Sequence, residues 1–372
     1  MLTVADIVRI IEDLAPPELA VPQDPIGLQL GSGQWEINKL MIALDADHRT
    51  IRQAADAGAG MLVAHHPLIY EPLASIDPES PVGRAVAHSL ENKVAVYCAH
   101  TNLDAAKNGI NNSLAVLLEV GDRTAMAGSA PERFKIAVFV PENSLGEVRT
   151  AAFEAGAGEI GAYTRCSFAS SGTGTFMGLE GTDPAAGNPG SFEEVSELRF
   201  EVIANRNIVD GVIDAIRGVH PYEEPAIDIY SLHGPGTDEG IGIIGRLPEE
   251  ATVGKLANTL IDLLETGSVT IIGEESRKVQ KVALCSGSGA SLIGIASASG
   301  ADAYLTGDMK YHDARQADEL DLAVIDFGHF APERYGMKEF SKTLNMALKN
   351  TGAEIEILYA EEEDPFKVIT RT

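Results

Sequence analysis

Met61-Leu62-Val63-Ala64-His65-His66-Pro67 is a short apolar run that closes on two adjacent histidines and a proline. Met61 to Ala64 reads as a buried strand. Working outward, Lys39 to Leu44 is another short apolar strand with Asp45-Ala46-Asp47 at its end. Arg49 to Ala57 between them reads as a helix stopped by Gly58. Downstream, Val82 to Asn92 is a helix, Val94 to Cys98 a third strand and Asn111 to Leu118 another helix. Upstream, Val4 to Leu14 has helical periodicity behind the N-cap Thr3 and ends at Pro16-Pro17. Strands alternating with helices imply an α/β fold with a mainly parallel sheet and crossover connections.

The last part of the chain repeats this order. Lys281 to Cys285, Ala303 to Thr306 and Leu322 to Ile325 read as strands, with a helix from Ala290 to Ala298 ending at Ser299-Gly300. A shift of 242 places Lys39 on Lys281, Gly58 on Gly300 and His66 on Asp308; a shift of 229 places His100 on His329 and Asp104 on Glu333. At the third strand the pattern H-x-x-x-D meets H-x-x-x-E. This reads as an internal duplication whose halves face each other across a pseudo-twofold axis. The middle differs. Phe134 to Val140, Leu198 to Ala204 and Ala226 to Leu232 read as strands, with helices near Leu145 to Ala155 and Ile208 to Gly218. The Gly/Ser/Thr-rich stretch from Ser167 to Gly190 suits a hairpin with a long loop. Two strand-helix units around a hairpin fit a ferredoxin-like α+β domain, with its exit at Gly234-Pro235-Gly236-Thr237. The expected organisation is a first half of the core at 1–126, an inserted domain at 127–235 and a second half at 236–372.

Composition narrows the function classes. The 372 residues carry a formal charge of −27, which disfavours a nucleic-acid partner, since phosphate backbones are bound by concentrated Lys and Arg. No apolar stretch reaches the eighteen or more residues of a membrane span, and the N-terminus lacks the basic and apolar regions of a signal peptide. The expected location is cytoplasmic. Cys98, Cys166 and Cys285 are too few and too scattered for a disulfide framework or a Cys-rich zinc site; Cys98 and Cys285 are expected to be buried small hydrophobes.

The strand ends carry the chemistry. His65-His66, His100 with Asp104, and His329 with Glu333 each follow an apolar run. Ligands gather at the carboxyl ends of strands in parallel α/β sheets, so three such ends suggest one shared metal centre. A mixed His/carboxylate set suits Zn, Fe, Mn, Co or Ni better than Ca or Mg. Consecutive residues of an extended strand point to opposite faces, so for both His65 and His66 to serve one cluster the strand is expected to end near Ala64. His100 mirrors His329 under the duplication, which argues for a ligand, but the favoured expectation is that it stands behind Asp104 and orients it. Asp45 is either a support of this kind or a turn residue, and Asp308 and His312 are expected at the rim of the cleft. His220, Tyr222, Glu223 and Glu224 read as a turn that seats the closing strand of the insert, or as the lining of an assembly cavity.

The motifs Val63-Ala64-His65-His66-Pro67, His100-Thr101-Asn102-Leu103-Asp104, His220-Pro221-Tyr222-Glu223-Glu224-Pro225-Ala226 and Gly328-His329 with Glu333 resemble those of the Nif-three-like dinuclear metal-centre family, whose members are often labelled GTP cyclohydrolase type 2 homologues. The resemblance runs from the N-terminal helix almost to the C-terminus. It implies a duplicated α/β core that binds two divalent metal ions, an inserted domain similar to the PII/CutA fold, and a toroidal homohexamer. By resemblance, His66, Asp104 and Glu333 hold one ion and His65, His329 and Glu333 the other, with Glu333 bridging; the two adjacent histidines are interchangeable in this assignment. The chain departs from the family at Asp24-Pro25, where an Asn usually follows the Asp. Two functions are compatible with this reading. One is a metal-dependent hydrolase acting on a nucleotide, a phosphoester or a C–N bond, with Glu333 and metal-activated water favoured for catalysis and Lys310, Arg315 and Arg334 available to a phosphate. The other is a non-catalytic, metal-dependent regulatory or chaperone-like assembly.

Overall fold

The computed structural model describes residues 2–128, 133–161, 163–182, 184–232 and 239–368. The chain divides into two compact units, Met1–Ser129 with Gly236–Thr372, and Ala130–Pro235. The first strand of the second half pairs back onto Gly121–Gly128, so that edge strand belongs with the core. The glycine-rich exit at 234–237 lies outside the described residues.

In the discontinuous unit, one sheet orders its strands Glu356–Tyr359, Lys39–Asp45, Met61–His66, Ala95–Cys98 and Gly27–Leu30. The first four are parallel and only Gly27–Leu30 is antiparallel. The other sheet runs Thr270–Ile272, Ala323–Asp326, Ala303–Gly307, Lys278–Ser288, Gly240–Thr252 and Gly121–Gly128. Here the expectation of a mainly parallel sheet fails. Only the three strands that repeat the first half pair in parallel, and their neighbours are antiparallel. Gly240–Thr252 accounts for one side, returning alongside Lys278–Ser288 in the opposite direction; on the other side Thr270–Ile272 runs antiparallel to Ala323–Asp326.

The duplication extends to individual bonds. Leu40 pairs with Met61 and Val282 with Ala303, the same positions 242 residues apart. Lys39 Nζ donates to Ala57 O at 3.1 Å and Lys281 Nζ to Ser299 O at 2.6 Å, each ammonium capping the carbonyl end of its helix. Both halves share one apolar core that includes Val63, Tyr97, Leu103, Leu284, Leu305 and Phe327. Each such side chain contributes roughly 1.5–3 kcal/mol when fully buried. Helix Phe330–Asn350 enters this core along Met337, Phe340, Leu344 and Leu348. It also packs on helix Ile110–Leu117 at Gly336, where a Cβ would stand only 2.6 Å from Ile110 Cγ2. The missing side chain lets the two helices close, and that sets the first helical turn, with Glu333, against the strand ends.

The inserted unit has the order Arg133–Val140, Leu145–Glu154, Ser167–Met177, Phe192–Asn205, Val209–Val219 and Ile227–Leu232. Its four strands form one antiparallel sheet in the order last, first, third, second, the ferredoxin-like βαββαβ arrangement. Ile136, Val138, Phe200, Val202, Val212 and Ile216 build its core. His220 works as a structural residue: its Nε2 donates to Phe139 O at 3.1 Å and its Nδ1 accepts from Tyr222 N at 3.1 Å. Both ring nitrogens are spent on seating the closing strand. Among the described residues no helix is long and apolar enough to cross a membrane. Cys98 and Cys285 are buried, and burial pushes both thiols well above their ordinary range.

Candidate metal centre

The strand carrying the histidine pair does not end at Ala64. It runs to His66, which pairs with Asp45. Only one flank ends early: pairing with Ala95–Cys98 stops at Ala64–Cys98. The free flank lets the His65 ring turn toward Ala99, and the two rings come to 5.0 Å between centroids, tilted by 48°. One-sided termination replaces the break expected from the sequence.

Each of four histidines is clamped at Nδ1. His65 Nδ1 lies 2.8 Å from the carbonyl of Ala99, which can only accept, so this nitrogen carries the proton. His66 Nδ1 meets Asp45 Oδ1 at 2.9 Å, His100 Nδ1 meets Asp24 Oδ1 at 2.8 Å, and His329 Nδ1 meets Asp308 Oδ2 at 2.8 Å. A carboxylate or carbonyl behind an imidazole fixes its tautomer and directs the Nε2 lone pair forward, the arrangement found behind metal-bound histidines. The His65 and His100 ring centroids are 5.1 Å apart. His66 Nε2 and His329 Nε2 face each other at 3.2 Å.

Glu333 stands among them and is 3 % exposed. Its Oε2 is 3.1 Å from His66 Nε2 and 2.9 Å from His329 Nε2, and its Oε1 is 3.7 Å from His65 Nε2. Asp104 Oδ1 is also 3.7 Å from His65 Nε2. Burial alone would push the Glu333 carboxyl up, but the surrounding imidazoles overcome it and hold it well below the usual carboxylate range. Asp104 goes the other way: burial, with Glu333 adding to it, outweighs His65 and raises its carboxyl. Burial disfavours the charged form of His65, His66 and His329 as well, yet their carboxylate neighbours win and raise all three. His66 is lifted to about 10 and His329 to about 9.

The residues fit a cation. His65 Nε2 is wholly buried and has no hydrogen-bond partner, an orphan aimed between two carboxylates. His66 and His329 oppose two lone pairs when neutral, which a positive charge between them relieves. Two sets of donors lie within coordination reach: His65, His66 and His100, and His66, His329 and Glu333. Gly287, with φ +59°, completes the wall; a Cβ there would stand 2.3 Å from Glu333 Oε1 and 3.4 Å from His329 Nε2.

The structure therefore brings together His65, His66, His100, Asp104, His329 and Glu333, with Asp45 behind His66. One placement differs from expectation. The hydrogen bond of His100 runs to Asp24, not to Asp104, and its ring faces the histidine pair. Asp308 lines the cavity at the mouth, where it also supports His329. His312 packs beside Tyr311 outside the cluster. Sequence reasoning missed Asp24, which also accepts from Thr101 N at 3.1 Å. It missed Gly287 too, and the bridge by which Ser286 Oγ reaches Asp104 Oδ1 at 3.3 Å and Asn111 Oδ1 at 3.0 Å.

Two duplicated α/β halves that converge a His/carboxylate cluster at their strand ends define a class of candidate metal-binding protein. The chain belongs to the Duf34/NIF3 (NGG1p interacting factor 3) family, whose family model matches residues 2–365. It is 38% identical over 326 residues to a Bacillus subtilis (strain 168) protein named GTP cyclohydrolase 1 type 2 homolog, covering 87% of each. A Listeria innocua protein of the same name is 35% identical over 362 residues, 96% of each. The crystal structure of a Bacillus cereus protein related to NIF3 superposes with a TM-score of 0.72 at 37% identity, covering 99% of each chain. A Staphylococcus aureus crystal structure shares the fold, with a TM-score of 0.80 at 24% identity.

Proposed function

We propose that this chain is a dinuclear divalent-metal protein and a metal-dependent hydrolase, assembled as a homohexamer. The observation that carries the metal reading is the convergence of four Nδ1-clamped imidazoles on two carboxylates, with the buried His65 Nε2 unpartnered. His65, with Asp104 3.7 Å away and His100 beside it, would hold one ion, and His66 with His329 the other. Glu333, whose two oxygens face different histidines, would bridge them.

When bound, such a pair of ions lowers the pKa of water and polarises the bond under attack. The chain's own residues do the rest. Asp24, Asp45, Asp308 and the Ala99 carbonyl hold each imidazole in one orientation. His66 and His329, 24% and 30% exposed in their side chains, form the open side. A cavity of about 1210 Å³ lined by Asp308, His329 and Arg334 opens there. GTP is the first substrate to try because of what the relatives are named; phosphoesters and other C–N bonds follow. The test is metal content and turnover of wild type and Glu333→Gln across that panel. Wild type is expected to hold two ions per chain and turn over one of the substrates, with both lost in the variant. Equal metal content in the two proteins would overturn the bridge, and metal-independent turnover would overturn the hydrolase.

A further inference from the structure

Beyond the strand Glu356–Tyr359 the chain continues as Ala360-Glu361-Glu362-Glu363-Asp364, four consecutive carboxylates in a protein already at −27. This tail is firmly held. Ala360 N donates to Ile42 O at 2.9 Å. The Gln53 amide brackets Glu361, donating to its carbonyl at 3.0 Å and accepting from its N–H at 2.8 Å. Glu362 turns inward, where its carboxylate accepts from Leu44 N at 2.8 Å and Asp45 N at 2.9 Å. These amides sit at the carboxyl end of a parallel strand, where α/β proteins collect ligands, and adjacent backbone N–H groups make an anion-binding concavity. The occupant of that concavity is the chain's own acid.

Burial, with Asp45 and Asp47 adding to it, raises the Glu362 carboxyl, but the cavity wall carries cations. A cavity of about 660 Å³ here is lined by Arg49 and Arg52 from helix His48–Asp56 and by Arg334 and Lys338 from helix Phe330–Asn350. Apart from the tail, its only carboxylates are Asp45 and Asp47. Asp45 is committed to His66, and Asp47 accepts from Arg49 N and Thr50 N. Among the described residues neither Arg52 nor Lys338 makes an ion pair. Without the tail, Arg52, Arg334 and Lys338 face two occupied carboxylates, one of them Asp47, already paired with Arg49 at 3.6 Å. Arg334, Lys338, Tyr359, Glu362 and Glu363 line both this cavity and the larger one at His329. The tail thus lies between the cationic pocket and the mouth of the metal centre.

We propose that the pocket of Arg49, Arg52, Arg334 and Lys338 with the Leu44 and Asp45 amides is a phosphate-binding subsite of the metal centre, and that the acidic tail fills it as a built-in competitor, Glu362 standing where phosphate oxygens of a polyphosphate-bearing ligand sit. The assignment rests on reading the centre as one that acts on phosphate-bearing substrates. Because Asp45 both offers its N–H to the anion and orients His66 through its carboxylate, exchange of tail for ligand occurs one residue from the centre.

The test is calorimetric binding of tripolyphosphate to the full-length, metal-loaded protein, with metal content measured on every variant. Neutralising the tail by Glu361→Gln, Glu362→Gln, Glu363→Gln and Asp364→Asn is expected to tighten binding by about tenfold or more, since only the tail-free fraction of wild type is competent. Glu362→Gln alone, which keeps an amide oxygen facing the two N–H groups, is expected to give part of that gain. Adding Arg52→Ala and Lys338→Ala to the neutral tail is expected to reverse it at unchanged metal content. In wild type, tripolyphosphate should speed hydrogen exchange at the Glu361 amide. Binding no tighter in both tail variants, or untouched by loss of the two cations, overturns the proposal. Tripolyphosphate binding as described with no substrate turned over leaves the subsite standing and sinks the hydrolase; metal-dependent turnover with no tail effect does the reverse.

Discussion

Gly287→Ala tests the wall of the centre without replacing any of the proposed ligands. The new Cβ would stand 2.3 Å from Glu333 Oε1, whereas packed atoms do not approach closer than about 3.0 Å. Glu333 therefore has to move by roughly 0.7 Å, well beyond the ~0.2 Å tolerance of a metal–ligand distance. It has little room to give, being 3 % exposed and hemmed by His65, His66 and His329. The backbone adds its own cost: φ is +59°, and a side chain in the left-handed region costs about 1–2 kcal/mol. Two separable effects follow. Metal-free protein should lose about 1–2 kcal/mol in denaturant unfolding, a modest change. Metal affinity should fall by about 10–100-fold, the scale seen when the support that positions a ligand is disturbed. Both are read by competition with a chromophoric chelator and by unfolding in the presence and absence of that chelator. A Gly287→Ala protein with wild-type metal affinity would refute the placement of Glu333 as a ligand against this loop.

Asp45→Ala and Asp308→Ala each free one imidazole, His66 or His329, and each should weaken metal binding by about 10–100-fold in the same chelator assay. In metal-free protein the neighbouring carboxylates push His66 up to about 10 and His329 up to about 9, against about 6.5 when unfolded. Raised pKa values stabilise fully below 6.5, and this contribution fades as pH climbs through 9 and 10. Unfolding midpoints with chelator should therefore fall from pH 6 to pH 10. The metal increment should grow over the same range, because ligation requires deprotonated nitrogens; parallel curves with and without metal would contradict both. Thr3→Ala removes a capping box with Asp6 and should cost about 1 kcal/mol at unchanged metal content.

The strand-helix order of each half was legible because its signals are local. Helices stop at Gly58 and Gly300, and the lysines at 39 and 281 mark the same bond in both halves. The cluster was legible for a similar reason: beside the adjacent His65 and His66, His100 with Asp104 and His329 with Glu333 sit at i and i+4 after strands, where helix Thr101–Ala105 and the first turn of helix Phe330–Asn350 begin. What escaped is non-local. Asp24 reaches His100 across 76 residues, and no spacing rule joins them. Strand Glu356–Tyr359 crosses from the C-terminus to the first half's sheet, so the second half supplies an edge to the first. Gly240–Thr252 carries small residues and alternates weakly at its end, and it reverses the direction of the second sheet. The one-sided end of the His65-His66 strand depends on its neighbour's length, which is a property of the sheet rather than of the strand.

Anomalous diffraction from crystals of protein purified with no added metal, recorded at the Mn, Fe, Co, Ni and Zn edges, is the most direct test of the central claim. The account predicts two peaks per chain, one beside His65, His100 and Asp104 and one beside His66 and His329, with Glu333 between them. No anomalous density among these side chains, even after soaking with each metal in turn, would contradict it.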